Sequence, residues 1–194
     1  MDATAKPGQS RGGQTGRHGR NLPAGQRWER PGPGAGDGLA YGALDLGTNN
    51  CRLLVASPTP HGGFRVIDAF SRIVRLGEGL GRHGRLNDAA MERTIEALRV
   101  CSNKLKWHRV ERQRLVATEA CRLSANGADF IARVAQETGL ELEIIDRETE
   151  AHLAAAGAEP LLAAQAQTAV VFDIGGGSTE VMWVQRSNTG AEVL

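Results

Sequence analysis

Two segments of this 194-residue chain set an aspartate, one or more glycines, and hydroxyl or amide side chains in an order that suits anionic oxygens. Asp45-Leu46-Gly47-Thr48-Asn49-Asn50 places a carboxylate at the end of an apolar run, then a glycine that permits a turn, then side-chain and backbone donors pointing into that turn. Asp173-Ile174-Gly175-Gly176-Gly177-Ser178-Thr179-Glu180 has the same order with more glycine, so backbone N–H groups can approach an anion without a Cβ in the way. The aspartates are 173 − 45 = 128 positions apart, which suggests a duplicated unit with a site between its copies. A lone Asp-Gly turn is usually only a turn; the repetition between apolar strands is what points to phosphate. Carboxylates repel phosphate, so Asp45 and Asp173 are expected to hold a divalent cation, directly or through water, and magnesium is the natural choice.

Such loops need strands to hold their ends. Ala43 to Leu46 reads as a short buried strand that resumes after the turn from Cys51 to Ala56, and Phe64 to Phe70 continues the meander after the turn signal His61-Gly62-Gly63. Beyond a glycine-rich loop, Gly77 to Gly84, Asn87 or Asp88 can cap a helix whose Met91, Ile95, Leu98, Cys101 and Leu105 form one apolar stripe. The order then alternates: strand Arg114 to Ala117, helix Ala128 to Thr138 ended by Gly139, strand Leu142 to Ile145, helix Glu148 to Ala156 ended by Gly157. After an Ala/Gln linker, Leu161 to Gln167, the strands Thr168 to Ile174 and Thr179 to Val184 flank the second glycine loop. Antiparallel strands followed by strand-helix alternation predict an α/β fold with a mixed sheet covered by helices.

With 41% hydrophobic residues the chain can furnish a buried core, and a net charge of +1 gives no general attraction for nucleic acid. Cys51, Cys101 and Cys121 are odd in number and contain no C-x-x-C pair, which argues against a disulfide framework or a zinc site and fits a reducing cytoplasm. No apolar run spans a bilayer, and the N-terminus lacks the apolar core of a signal peptide. Residues 1–38 are rich in Gly, Pro, Gln and Arg, with six Lys/Arg against Asp2, Glu29 and Asp37, and are expected to form a disordered, solvated tail.

Taken together, the motifs resemble the exopolyphosphatase and guanosine pentaphosphate phosphohydrolase (Ppx/GppA) family, part of the actin-like, sugar-kinase and heat-shock-chaperone superfamily. The resemblance runs from Tyr41 to about Val184. It rests on D-L-G-T-N-N, V-R-L-G-E-G-L at Val74 to Leu80, A-T-E-A-C-R at Ala117 to Arg122, E-T-E-A at Glu148 to Ala151, and D-I-G-G-G-S-T-E, in that order. It implies a ribonuclease H-like (actin-like ATPase) lobe over residues 39–166 and, from 167 to 194, the first hairpin of a truncated second lobe. The implied reaction is hydrolysis of terminal phosphoanhydride bonds of inorganic polyphosphate or guanosine pentaphosphate, the latter tied to the stringent response, and the implied full-length form is a homodimer.

The same resemblance assigns Glu150 as the base that activates water; Asp45, Asp173 and Glu180 as metal or water ligands; and Thr48, Asn49, Gly175, Gly176, Gly177 and Ser178 as phosphate contacts. Arg122, between a strand and a helix, stands where a guanidinium can fork onto phosphate, and the family has an arginine there. Arg75 is a weaker candidate of the same kind and Arg72 weaker still. Without the resemblance, Glu148 and Glu150 read as first-turn acids favoured by the helix dipole, and Arg122 as a solvated charge. His152, where relatives often carry Arg, reads as an exposed helix histidine. Two alternatives remain open at this stage: a superfamily ATPase or kinase, and a catalytically weak fragment that binds polyphosphate or an alarmone.

Overall fold

Alternation of apolar and polar residues builds the first hairpin. In the computed structural model, which describes residues 39–60, 63–163, 165–187 and 190–193, β1 (Tyr41–Leu46) and β2 (Asn50–Pro58) pair antiparallel. The expected tail, residues 1–38, lies outside the described residues. Leu44, Leu46, Cys51, Leu53 and Val55 are buried on one face, each leucine and valine contributing roughly 1.5–3 kcal/mol by leaving water. The other face carries Ala43, Asp45, Arg52 and Leu54, none of them fully buried.

β3 (Phe64–Ile73) extends three residues past the expected strand and pairs antiparallel with β2. The register slips between Val55 and Ala56, whose partners are Asp68 and Val66, so Ile67 is the extra residue of a β-bulge. Phe64 and Val66 are exposed, so the apolar spacing that predicted this strand marks no buried face. The glycine-rich loop that follows contains a single helical turn, α1 (Leu80–His83). Then α2 (Asp88–Trp107) begins at Asn87, whose side chain accepts from the Ala90 N–H at 2.8 Å. Its predicted stripe, Met91, Ile95, Leu98, Cys101 and Leu105, is buried throughout. Cys101 and Cys51 bring their Sγ atoms to 4.0 Å inside this core, and all three cysteines are free thiols.

β4 (Arg112–Ala117) lies parallel to β1, α3 (Glu119–Leu123) is a short helix the sequence reading missed, and α4 (Gly127–Thr138) ends at Gly139 as expected. β5 is reduced to Glu143–Ile144, completing a mixed sheet in the order β3-β2-β1-β4-β5. Helix α5 (Arg147–Ala158), capped by the Asp146 side chain, runs straight through Gly157 into a 3₁₀ turn, Glu159–Leu161. Gly157 therefore is not the terminator it was expected to be.

A second sheet, in the order β6-β7-β8, follows: β6 (Thr168–Ile174), β7 (Thr179–Ser187) and β8 (Gly190–Val193), all antiparallel. The expected hairpin is thus a three-stranded sheet. Met182 and Val184 are buried against Ala151, Ala154 and Ala155 of α5. The reverse face exposes Val170, Phe172, Ile174, Val181 and Trp183. No described helix is long and apolar enough to cross a membrane.

Candidate active site

The two glycine loops meet. A cleft of about 290 Å³ is lined on one side by Asp45, Gly47, Thr48, Asn49, Asn50 and Arg52, and on the other by Asp173 through Ser178 and Glu180. Thr118, Glu119 and Glu150 complete the wall. Each loop is closed by the same bond at its neck: Gly47 N–H donates to Asn50 O and Gly175 N–H to Ser178 O, both at 2.9 Å. The tips are close-packed. A Cβ built on Gly176 would stand 2.7 Å from the Asn49 Cβ, and one on Gly177 would stand 2.7 Å from the Thr48 Oγ1, so neither position accepts a side chain without displacing its neighbour.

The first loop is braced from behind. Asn49 O accepts from the N–H groups of Val74 and Arg75 at 2.9 and 3.0 Å, and Thr48 O accepts from Gly77 at 2.9 Å. Gly77 itself lies against Thr48, where a Cβ would be 2.3 Å from Cγ2. Arg75 adopts a left-handed backbone with φ 49°, a strained conformation for a residue with a Cβ, which the two bonds to Asn49 over-determine. Its side chain is exposed and is not among the cleft-lining residues. Arg72 also lies off the cleft, stacked 5.4 Å from the Phe70 ring centroid.

The carboxylates give the cleft its electrostatics. Burial pushes the Asp45 carboxyl above its ordinary range; Arg52, directly opposite in register, opposes the rise and Asp173 adds to it. Burial likewise raises Glu150, with Arg122 opposing and Glu180 and Asp45 contributing repulsion. A partly buried carboxyl raised in this way is suited to accept a proton from water. Asp173 and Glu180 face each other across β6 and β7.

Arg122 stands behind this wall. Its Nη2 donates to Glu119 Oε2 and, at 3.0 Å, to Glu150 Oε2, while Nη1 donates to Ile145 O at 2.6 Å. Its Nε is buried without a hydrogen-bond partner. Burial works to raise Glu119, but hydrogen bonds from Arg147 and Arg122 outweigh it and hold the carboxyl below its ordinary range. The expected acid and phosphate-loop residues Asp45, Thr48, Asn49, Glu150, Asp173, Gly175, Gly176, Gly177, Ser178 and Glu180 therefore line one cleft, whereas Arg75 and Arg122 do not. His152 is exposed, with Nδ1 donating to Glu148 O at 2.8 Å.

Sequence reading missed Arg52 and Glu119. Arg52 was legible in the alternation, since Cys51 is buried and its neighbour must face the other way, beside Asp45. Glu119 stood inside the A-T-E-A-C-R motif but was given no role, because a buried acid in an unrecognised short helix has no periodic pattern of its own.

Residues 54–193 match the sequence profile of the Ppx/GppA phosphatase family. The chain belongs to that family. Among curated family relatives, it is 38% identical over 148 residues to Exopolyphosphatase 2 of Mycobacterium tuberculosis strain H37Rv, a match covering 72% of this chain and 46% of that protein. Among solved structures, it is 31% identical to the Ppx/GppA family member of Aquifex aeolicus, with a TM-score of 0.68 over 80% of this chain and 50% of that one. An exopolyphosphatase from Cytophaga hutchinsonii gives a TM-score of 0.72 at 26% identity, again over 80% and 50%. The fold is accordingly the α/β, actin-like ATPase lobe of the Ppx/GppA proteins, and the chain spans about half the length of the relatives it matches.

Proposed function

We propose that this Ppx/GppA chain forms the phosphate-gripping cleft of a hydrolase that removes terminal orthophosphate from inorganic polyphosphate, with Glu150 as general base. The convergence of both glycine loops with the raised carboxyl of Glu150 on one cleft carries this reading. Backbone N–H groups of the loops and the Thr48 and Ser178 hydroxyls bind and orient the terminal phosphate, and Arg52 supplies positive charge beside Asp45. Glu150 takes a proton from a water aimed at the terminal phosphorus. The loops reach only terminal phosphates, and guanosine pentaphosphate ends in a similar group, so it is a second substrate of the same reading.

Asp45, Asp173 and Glu180 all line the cleft, and one or two of these carboxylates would hold a hard divalent cation such as magnesium, with water and substrate phosphate completing its shell. Among the described residues no three of His, Cys, Asp or Glu gather into a group able to hold a metal ion, so the three carboxylates do not form a cage of their own. When bound, the cation neutralises charge on the phosphate oxygens.

The test is phosphate release from tripolyphosphate, long-chain polyphosphate and guanosine pentaphosphate in magnesium buffer, comparing wild type with Glu150→Gln. The variant is expected to lose about 10²–10⁴-fold in rate, the usual contribution of a positioned base. No release from any substrate sinks the hydrolase reading; full rate in the variant removes Glu150 from its role. Turnover of ATP alone favours the ATPase alternative.

A further inference from the structure

Four side chains of alternating charge join α3 to the first turn of α5. Arg147 Nη2 donates to Glu119 Oε1 at 2.9 Å, Glu119 Oε2 accepts from Arg122, and Arg122 reaches Glu150 at 3.0 Å. The Arg147 side chain is 64% exposed, whereas that of its partner Glu119 is only 7% exposed. Glu119 therefore gives its buried carboxylate wholly to guanidinium groups, one oxygen to each. On Arg122, Nη2 is divided between two carboxylates and Nη1 is tied to Ile145 O, yet Nε remains without a partner. A guanidinium offers five N–H donors in a fixed fork, and a buried one left unmatched signals a group held where its own hydrogen bonding is incomplete. Glu119, which lines the cleft, shares the hold on it with Glu150 and Ile145 O, while Arg122 stands outside the lining.

We propose that Glu119 is a positioning residue: it holds the Arg122 guanidinium on Glu150 and off the anion bound in the cleft. This rests on the hydrolase reading. While Glu119 is in place, Arg122 braces the Glu150 carboxylate through one oxygen and leaves the other free for water. Weakening the Glu119 bond lets the guanidinium fork swing toward the phosphate, which it matches better than it matches a shared carboxylate. The anion is then bound more tightly and Glu150 is aimed less well, so affinity and turnover move in opposite directions, which misfolding cannot produce.

The experiment measures tripolyphosphate binding by calorimetry, and kcat and KM for phosphate release, on the full chain. Glu119→Gln is expected to lower the tripolyphosphate Kd about tenfold, the size of one charge-assisted hydrogen bond, with KM falling alongside and kcat reduced. Removing any negative charge from the cleft attracts an anion, so two further variants separate that effect. Glu119→Asp keeps the charge and shortens the reach; it is expected to tighten binding in the same direction by less, and it replaces Glu119→Gln if that protein fails to fold. In an Arg122→Gln background, Glu119→Gln is expected to keep only the general effect of one lost charge, a tightening well short of tenfold. Unchanged Kd in a folded Glu119→Gln, or tightening of undiminished size without Arg122, overturns the inference while the hydrolase reading stands. Wild type that neither binds nor hydrolyses tripolyphosphate overturns both.

Discussion

In β1 and β2 the residues that open and close the turn, Asp45 and Arg52, face each other in register; in β6 and β7 the corresponding pair is Asp173 and Glu180. Both turns span seven positions (52 − 45 and 180 − 173), both are closed by an N–H to carbonyl bond of 2.9 Å, and each is followed by a third antiparallel strand. Behind the turns the likeness ends. Leu44, Leu46, Leu53 and Val55 are at most 3% exposed under α2, whereas Val170, Phe172, Ile174, Val181 and Trp183 are 47–77% exposed. The shape of a glycine hairpin is thus set within about ten residues, while burial of its strands depends on what packs on them from elsewhere in the chain. The chemistry differs too: the first hairpin pairs its acid with a cation, and the second sets acid against acid.

The largest expected effect tests the burial contrast. Leu44→Ala should cost about 2–5 kcal/mol in urea unfolding, the usual range for emptying a core leucine site, while Phe172→Ala should stay within about 0.5 kcal/mol. A large loss at Phe172 would mean that its face is covered in solution.

Next is the contact between the tips. Gly176→Val must displace Asn49 and should weaken tripolyphosphate binding roughly tenfold to a hundredfold, against no change for Gly81→Ala, whose Cβ would meet nothing within 4 Å. Calorimetry reads both, and equal affinities would show that the tips separate freely.

A smaller effect concerns the acid of the first hairpin. Because folding raises the Asp45 carboxyl, its favourable contribution is present below the unfolded pKa and is lost as pH rises through the folded one. Asp45→Asn should therefore melt a few degrees above wild type at neutral pH, with the gap closing as pH falls through the carboxylate range. Melting curves that stay parallel at every pH would rule this out. Smallest is Gly157→Ala in α5, where a Cβ meets nothing within 4 Å and replacing a helical glycine should add about 0.5–1 kcal/mol. A loss of stability there would show that Gly157 does end the helix in solution.

Local signals carried much of the fold. The Asn87 cap, the five-residue stripe of α2 and the Gly139 stop are properties of a few neighbouring residues, and each is where the periodicity put it. The site's two loops were legible for the same reason, since glycine and aspartate at a strand end leave few alternatives. What could not be read was relational. Gly157 continues its helix because its φ stays out of the left-handed region, a choice glycine's identity does not make. Arg122 was assigned to phosphate on the family resemblance, and only tertiary structure reveals the two carboxylates that its guanidinium bonds.

The contact of Gly176 and Gly177 with Asn49 and Thr48 sets how the cleft is gauged. A Cβ on Gly176 would run into the Cβ and main chain of Asn49 and one on Gly177 into the Thr48 side chain, so the bare backbone of the second loop is what lets the two walls come this near. The width of the cleft is therefore kept by two missing methyl-sized groups, and any side chain added at either glycine would part its walls.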